Sequence, residues 1–331
     1  AATLLFQPAA ATRLYPLFLG ALFVLACGQC VLEVAANPYV TALGPTETAA
    51  RRLNIAQTFN AIGAVITPIL GARFILSGVE HSTAEIAAMP TEAVDAWHKT
   101  EAASVALPYL VITALFVIVA VMIARSKLPE VHEEGVSLGG GLKGAWRHGH
   151  LRRGVLAQFC YVGAQIGVAS FVVRFSQQVL PGTHEMAAAG FLAAHQGGFL
   201  GGRILGSLLM SKVSPPHLLA AVAGAGVLAA AYAALGSGAA AVWMIVALGA
   251  LHSIQFPTIF ALSLEGLGDD TKLGSSLLVM SIVGGAIVPA LMGLVSDARG
   301  IQASLWLPAA CYVVVFYFAV RGHRPDSNEI A

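Results

Sequence analysis

Nine apolar runs, each about as long as a bilayer is thick, dominate the sequence. A membrane-spanning helix needs about 20 consecutive apolar residues, and such runs lie at 16–40, 53–77, 105–125, 154–178, 187–211, 217–236, 240–264, 273–296 and 303–321. Only 11% of the residues are charged, against about 25% in soluble domains, so there is too little charge to coat a soluble surface. We therefore expect an all-α membrane protein that crosses the bilayer many times.

Net charge and cysteine content exclude several classes of protein. The formal net charge is +1, so the chain lacks the basic surface that nucleic-acid binding requires. Its four cysteines are too few for a disulfide-stapled secreted domain. The Cys27-x-x-Cys30 pair has redox spacing but lies in an apolar helix without a second pair or a histidine. We expect neither a metal nor a cofactor.

The first residues form a shorter apolar segment, AATLLFQPAA. It is too short to span a bilayer and lacks the basic start of a signal peptide. We interpret it as the stub of a tenth helix and expect an N-terminally truncated chain, with a disordered apolar terminus as the alternative.

The basic residues of the loops indicate an orientation. When the loop that holds Arg51 and Arg52 is placed in the cytoplasm and the spans alternate, only Arg13, Lys99 and Arg299 fall outside. Cytoplasmic loops are enriched in Lys and Arg. We therefore expect a cytoplasmic C-terminus and an external acidic loop at 78–104.

A long basic loop at 126–153 divides the spans into three before it and six after it. A weak internal repeat accompanies this division, because Pro38 and Pro68 have counterparts in Pro257 and Pro289 within similar apolar segments. Transporters with two related halves show this layout. We expect residues 1–125 to be the remainder of an N-terminal bundle (the end of helix 3 and helices 4–6), 126–153 a cytoplasmic linker, and 154–331 a C-terminal six-helix bundle.

Glu33 is the one acid deep inside an apolar run. A carboxylate at the centre of a span costs about 2.5–3.5 kcal/mol on insertion scales, and such residues usually mark ion or proton pathways. Asn37 follows one turn later on the same face, and Pro38 removes a backbone hydrogen bond beside it. A structural hydrogen bond to a neighbouring helix is the alternative.

Asn54, Gln57 and Asn60 recur every third residue in the next span and predict a polar stripe. Amides both donate and accept hydrogen bonds, which suits recognition of sugar hydroxyls, although such residues also join helices to one another in membranes. In the second half, Gln158, Tyr161 and Gln165 lie on adjoining faces of one span. His195, Gln196, His252 and Gln255 also lie within spans.

Five long segments resemble one known family. They are LEVAANPYV at 32–40, GPTETAARRLNIAQTFNAIG at 44–63, AQFCYVGAQIGVASF at 157–171, QFPTIFALSLEGLGDDTKLGSSLLVMSIVGGA at 255–286 and MGLVSD at 292–297. Through them the chain resembles bacterial L-fucose:proton symporters, which are sugar permeases of the major facilitator superfamily. The resemblance implies twelve spans in two helical bundles, of which this chain holds about nine full transmembrane helices and the stub.

The resemblance also implies roles for particular residues. Glu33 falls on the family's proton-coupling glutamate, and Gln57 and Asn60 fall on its sugar-binding amides. Asn37 lies in the same Asn-Pro pattern. We include Tyr161 and Gln165, from the second half of the chain, as further sugar-binding candidates.

We therefore expect a symporter, not an enzyme, that imports L-fucose or a related hexose with a proton by alternating access. The segment GFLAAHQGG at 190–198 is poorer in Asn and Thr than we expect of L-fucose transporters, so a glucose/galactose-type transporter remains open. A sugar sensor that does not transport is a further candidate, as is a membrane enzyme built on His195, His252 and Ser253. We expect a monomer in the bacterial inner membrane, whose partners are the sugar, the proton and the lipid bilayer.

Overall fold

The computed structural model describes residues 2–12, 14–74, 89–126 and 144–324, which are helical nearly throughout. The α-helices are α1 (Phe6–Thr12), α2 (Tyr15–Ala42), α3 (Ala49–Phe74), α4 (Thr91–Arg125), α5 (Gly149–Val179), α6 (Glu185–Leu209), α7 (Pro215–Leu235), α8 (Gly238–His252), α9 (Gln255–Leu264), α10 (Thr271–Met280), α11 (Gly284–Arg299), α12 (Ile301–Ser304) and α13 (Trp306–Tyr317).

Within the described residues, helices lie at the positions of the nine predicted spans, and only residues 75–77 of the span 53–77 lie outside this part of the chain. Within the described residues, six helical segments are long and apolar enough to cross a membrane: Pro16–Ala42, Gly149–Val179, Pro215–Leu235, Gly238–Leu264, Gly268–Arg299 and Ile301–Gly322. Helix α4 contributes a shorter apolar helix, Tyr109–Arg125. Helices α3 and α6 carry more polar side chains, so the full count of nine spans stays a prediction.

Helix α4 begins at Thr91, which corrects the predicted loop over 78–104. Residues 91–104 are rich in Ala and Glu, which are good helix formers. Hydropathy indicates burial in a membrane rather than helicity. A prediction from hydropathy therefore does not detect a polar extension of a helix. Residues 75–77 of the predicted span 53–77, residues 78–88 of this loop and residues 127–143 of the predicted linker lie outside the described residues.

The chain divides into two compact units. Unit 1 comprises Ala1–Glu33 and Ile66–Glu130. In it, Phe6 of α1 is buried, stacks on Tyr109 of α4 with ring centroids 4.0 Å apart, and meets Phe18 of α2 edge to face at 5.1 Å. These aromatic contacts fix the short N-terminal helix against α4.

Unit 2 comprises Val34–Val65 and Val131–Ala331. Its largest core packs α5 against α7, α8, α11 and α13. A separate cluster, which we call the junction cluster, joins the segment 34–65 to the C-terminal helices. Its buried members are Leu53, Ala145, Leu151, Phe260, Leu264, Leu267, Leu277, Leu278 and Val279, with Val34, Val40 and Val155 among the partly buried residues packed on them.

The two units group the chain differently from the predicted bundles. The segment 34–65 falls in unit 2, because the junction cluster packs it on the C-terminal helices, whereas the sequence places it with residues 1–125. The division at 126–153 stays a prediction.

Glycines let α6 and α8 approach closely. A Cβ on Gly202 would lie 2.5 Å from the carbonyl oxygen of Ala250, whereas a Cβ on the adjacent Gly201 would meet nothing within 4 Å. We expect Gly202→Ala to force the helices apart, at a cost of about 1–3 kcal/mol, and to lower the apparent Tm of the detergent-solubilised protein. Gly201→Ala is the matched control and should leave the Tm unchanged or slightly higher. Equal Tm values for the two variants would contradict the close approach.

The Arg52 guanidinium caps the end of α2. It donates to the carbonyl oxygens of Val40 at 3.3 Å, Thr41 at 2.5 Å, Gly44 at 3.2 Å and Pro45 at 2.8 Å. The last carbonyls of a helix lack partners within it, and the planar five-donor fork of arginine serves several of them at once, as a lysine cannot. We expect Arg52→Lys to cost about 2 kcal/mol, measured as a lower Tm. Arg152→Lys, at an exposed position of α5, should change the Tm little, and a similar loss in both variants would refute the capping role.

Candidate functional site

Two of the predicted sugar-binding amides contact each other. The Nε2 of Gln57 on α3 donates to the Oδ1 of Asn37 on α2 at 3.2 Å. Asn37 is only 4% exposed, and its Nδ2 is buried with no hydrogen-bond partner among the described residues. The pair therefore keeps one donor available at a place where two helices meet.

Asn60 lies one turn after Gln57 on α3 and is exposed. Its neighbour Phe59 is exposed as well. The α3 amides thus change from half-buried at Gln57 to open at Asn60, so an incoming ligand could reach both.

Asn54 departs from the predicted stripe. It is fully buried, and its Nδ2 lies 3.2 Å from the Sδ of Met210 and 3.5 Å from the Oγ1 of Thr258. Three residues advance a helix by about 300° at 3.6 residues per turn, so the stripe drifts around α3 and its first member turns toward other helices. Asn54 joins helices rather than sharing the face of Asn60.

Glu33 lies on α2 one turn before Asn37 and is partly exposed. The Nε2 of Gln29, one turn earlier, donates to its Oε1 at 3.4 Å. Helix α2 continues past Pro38 to Ala42, so Glu33 and Asn37 remain on one uninterrupted helical face.

Tyr161 and Gln165 lie one turn apart on α5 in different surroundings. Tyr161 is 0% exposed, and its hydroxyl donates to the backbone oxygen of His252 at 3.0 Å. Gln165 is partly exposed. Of the two, Gln165 is the side chain that a ligand could reach in this conformation.

The span 240–264 is interrupted at its middle. Helix α8 ends at His252 and α9 begins at Gln255. Pro257 explains the interruption, because it has no N–H to donate to the carbonyl oxygen of Ser253 four residues earlier. The sequence shows this proline but does not show that the helix yields here while α2 continues through Pro38.

Side chains satisfy three carbonyls at this break. The oxygens of Leu251, His252 and Ser253 accept hydrogen bonds from Gln255 Nε2 at 2.9 Å, Tyr161 at 3.0 Å and Arg203 Nε at 2.8 Å respectively. Backbone polar groups inside a membrane must be satisfied by protein when no water is present. The break is therefore stabilised by hydrogen bonds from side chains of unit 2.

Arg203 is a residue of the site that sequence reasoning missed. It is 3% exposed, its Nη1 donates to the carbonyl oxygen of Gln57 at 2.8 Å, and its Cζ lies 4.8 Å from the centre of the Phe199 ring. One guanidinium thus links α3, the helix of the predicted sugar-binding amides, to the α8–α9 break. The signal was present in the sequence, since an arginine within an apolar run is costly and usually functional.

The histidines of the C-terminal helices form a separate buried group. His195 Nδ1 lies 3.0 Å from the carbonyl oxygen of Ile245, and His252 Nε2 hydrogen-bonds the Tyr312 hydroxyl. The hydroxyl of Ser253 donates to the carbonyl oxygen of Ala250 at 2.6 Å. These bonds join helices or close the helix end. Within the described residues, no three His, Cys, Asp or Glu side chains are grouped to hold a metal ion, and Cys27 and Cys30 are free and exposed.

Comparison with known proteins places the chain among transporters. It is 41% identical over 322 residues to the glucose/galactose transporter of Brucella abortus biovar 1 (strain 9-941). The alignment covers 97% of this chain and 75% of the relative. It is 40% identical over 323 residues to the L-fucose-proton symporter of Escherichia coli (strain K12), covering 95% of this chain and 74% of the relative.

Solved structures give the same placement. A crystal structure of a variant of the E. coli fucose:proton symporter FucP matches with a TM-score of 0.90 at 40% identity, covering 96% of this chain and 80% of the other. A structure of FucP in the outward conformation matches with a TM-score of 0.89 at 40% identity, covering 96% and 79%. The sequence profile of the Major Facilitator Superfamily matches residues 1–277. The chain is a multi-pass membrane transporter rather than an enzyme, and it belongs to the Major Facilitator Superfamily.

Proposed function

We propose that this protein is a proton-coupled sugar symporter that imports L-fucose or a related hexose across the bacterial inner membrane. The observation that carries the proposal is the amide pair of Asn37 and Gln57, placed one turn from the intramembrane Glu33. Support also comes from relatives named L-fucose-proton symporter and glucose/galactose transporter. We propose that the protein is a monomer. The distribution of basic loop residues supports a cytoplasmic C-terminus.

The amides of Asn37, Gln57 and Asn60 bind sugar hydroxyls, because each amide offers donors and acceptors. The Nδ2 of Asn37, unpaired among the described residues, is a donor available to a hydroxyl oxygen, and the exposed Asn60 receives the sugar from the open side. Gln165 adds a contact from α5. Tyr161 can join only if its hydroxyl leaves the His252 carbonyl, to which it is bonded at 3.0 Å.

Glu33 carries the proton. Its protonated carboxyl is neutral, which a low-dielectric site tolerates better than the charged form, and Gln29 holds one carboxyl oxygen. Sugar binds from outside while Glu33 is protonated. After the transporter opens to the cytoplasm, Glu33 loses its proton and the sugar leaves. One charge that moves down the membrane potential supplies about 2.3 kcal/mol per 100 mV, enough for roughly 50-fold accumulation.

Alternating access requires two bundles that rock about a central site. We place these bundles at residues 1–125 and 154–331, joined by a cytoplasmic linker at 126–153, with nine full spans. Within unit 2 the junction cluster packs the segment 34–65 of the first bundle on helices of the second, which supports an outward-facing state. In that state the junction cluster closes the cytoplasmic side.

A glucose/galactose transporter is the second candidate, favoured by the 41% identity to the Brucella relative of that name. The deciding experiment measures uptake of labelled L-fucose, D-galactose and D-glucose by the full chain in proteoliposomes with an imposed inward proton gradient. Unlabelled sugars compete in turn. We expect L-fucose to be taken up most strongly and to be the strongest competitor. Preference for galactose or glucose would select the second candidate. Binding without accumulation would indicate a sensor, and the absence of both would overturn the proposal.

A further inference from the structure

Gln158 is a buried glutamine whose amide has no use in the site described above. It lies on α5, is 0% exposed, and neither its Oε1 nor its Nε2 has a hydrogen-bond partner among the described residues. A buried polar group without a partner pays its full desolvation cost. Such a group calls for an explanation, since nearly all buried polar atoms in proteins are paired.

Two other buried polar side chains of unit 2, Ser263 and Thr258, do have partners. The hydroxyl of Ser263 donates to the Ile259 carbonyl at 2.7 Å, and that of Thr258 donates to the Ile254 carbonyl at 2.6 Å. These short side chains donate their hydrogen bonds to backbone carbonyls of their own helix. The contrast indicates that Gln158 is not retained for a contact made in this conformation.

The position of Gln158 relates it to the junction cluster. On α5 it follows Leu151 by seven residues and Val155 by three, so the three share one face, and the other two belong to that cluster. From the segment 34–65 the cluster includes Leu53, and Val34 and Val40 pack against it. Gln158 is thus placed on the face of α5 that carries residues of the junction cluster.

Depth along the helix agrees with this placement. Gln158 lies nine residues from the start of α5 at Gly149, or about 14 Å along the helix at 1.5 Å per residue. The hydrocarbon core is about 30 Å thick. With the start of α5 on the cytoplasmic side, as the proposed orientation requires, Gln158 lies in the cytoplasmic half of the membrane.

We infer that Gln158 binds a sugar hydroxyl in the cytoplasm-facing state, on the route by which the sugar leaves. The inference rests on the proposed symport function. When the bundles rock, the segment 34–65 moves away from the junction cluster and uncovers this face of α5. The amide can then donate to one hydroxyl and accept from another, so the sugar supplies the hydrogen bonds that the amide does not make in the closed state.

The test compares the two sides of the membrane. Gln158→Leu and Gln178→Leu are made in the full chain, the second being the same change at an exposed position of α5. The half-saturating sugar concentration is measured for uptake into right-side-out vesicles and into inside-out vesicles, together with the apparent Tm. We expect Gln158→Leu to raise this concentration at least tenfold on the cytoplasmic side and less than twofold on the external side. Its Tm should be unchanged or higher, and the Gln178 variant should match the wild type throughout.

An equal change on both sides, or no change on either, would overturn the inference. If Gln158→Leu does not fold, Gln158→Met and Gln158→Asn replace it, and only the asparagine, which keeps an amide, should recover part of the cytoplasmic-side affinity. Loss of that difference would equally refute the role. Failure of the proposed function is distinct, because the wild type would then transport no hexose.

Discussion

Replacing Glu33 by Gln should abolish sugar accumulation driven by a proton gradient while sugar exchange across the membrane continues. Glutamine resembles the protonated carboxyl in shape and neutrality, so it permits the sugar-loaded transporter to rock but cannot release a proton. The carboxyl is well placed for this role, because it is partly exposed on α2 and bonded to Gln29 at 3.4 Å. The measurement is accumulation in proteoliposomes under an imposed pH gradient, alongside counterflow without a gradient.

Glu92→Gln is the matched control for this experiment. Glu92 is exposed in the first turn of α4, so its neutralisation removes a carboxylate without touching the span that holds Glu33. Accumulation by this variant should equal that of the wild type. Undiminished accumulation by Glu33→Gln would contradict the coupling role, and loss of counterflow as well would show that Glu33 serves structure or sugar binding instead.

Replacing Gln57 by Leu should weaken sugar binding strongly. The change removes an amide expected to meet the sugar and leaves the Oδ1 of Asn37 without the donor that now lies 3.2 Å away. A sugar hydroxyl that is buried in the complex without the amide as its partner costs about 1–3 kcal/mol, which corresponds to about a 5- to 150-fold loss of affinity. The measurement is equilibrium binding of labelled sugar to the purified protein.

Two comparisons separate binding from folding in this experiment. Gln178→Leu makes the same change at an exposed position and should leave the affinity unaltered. Asn37→Leu should weaken binding too, and the double variant should lose less than the sum of the two, because contacting residues are coupled. Full additivity would argue against a shared site, and an unchanged affinity in Gln57→Leu would remove Gln57 from it.

Much of the helical arrangement could be predicted from the sequence, since length and apolar composition alone locate a membrane-crossing helix. The failures have physical causes. The polar extension of α4 from Thr91 was missed because hydropathy does not report helicity. The break between His252 and Gln255 was missed because a proline permits a break without requiring one. Pro38 and Pro257 occupy similar positions in the repeat, yet α2 continues past the first and α8 ends before the second.

The candidate site was predictable to a similar degree. Helical spacing placed Glu33 and Asn37 on one face, and the choice of amides at Gln57 and Asn60 indicated a polar partner. Spacing could not show that Asn54 turns away toward Thr258, or that the Tyr161 hydroxyl is bonded to a distant backbone carbonyl.

The sequence by itself determined that this chain is helical, crosses a membrane and belongs with sugar permeases, because apolar run length and long family segments are local properties of the chain. Only the tertiary structure decided which polar groups are paired. It joined Asn37 to Gln57, set Arg203 between the Gln57 and Ser253 carbonyls, and left Gln158 without a partner in the part of the chain that the structure describes. Hydrogen bonding depends on atoms brought within about 3 Å of each other. Residues far apart in the sequence reach that distance only when the helices have packed.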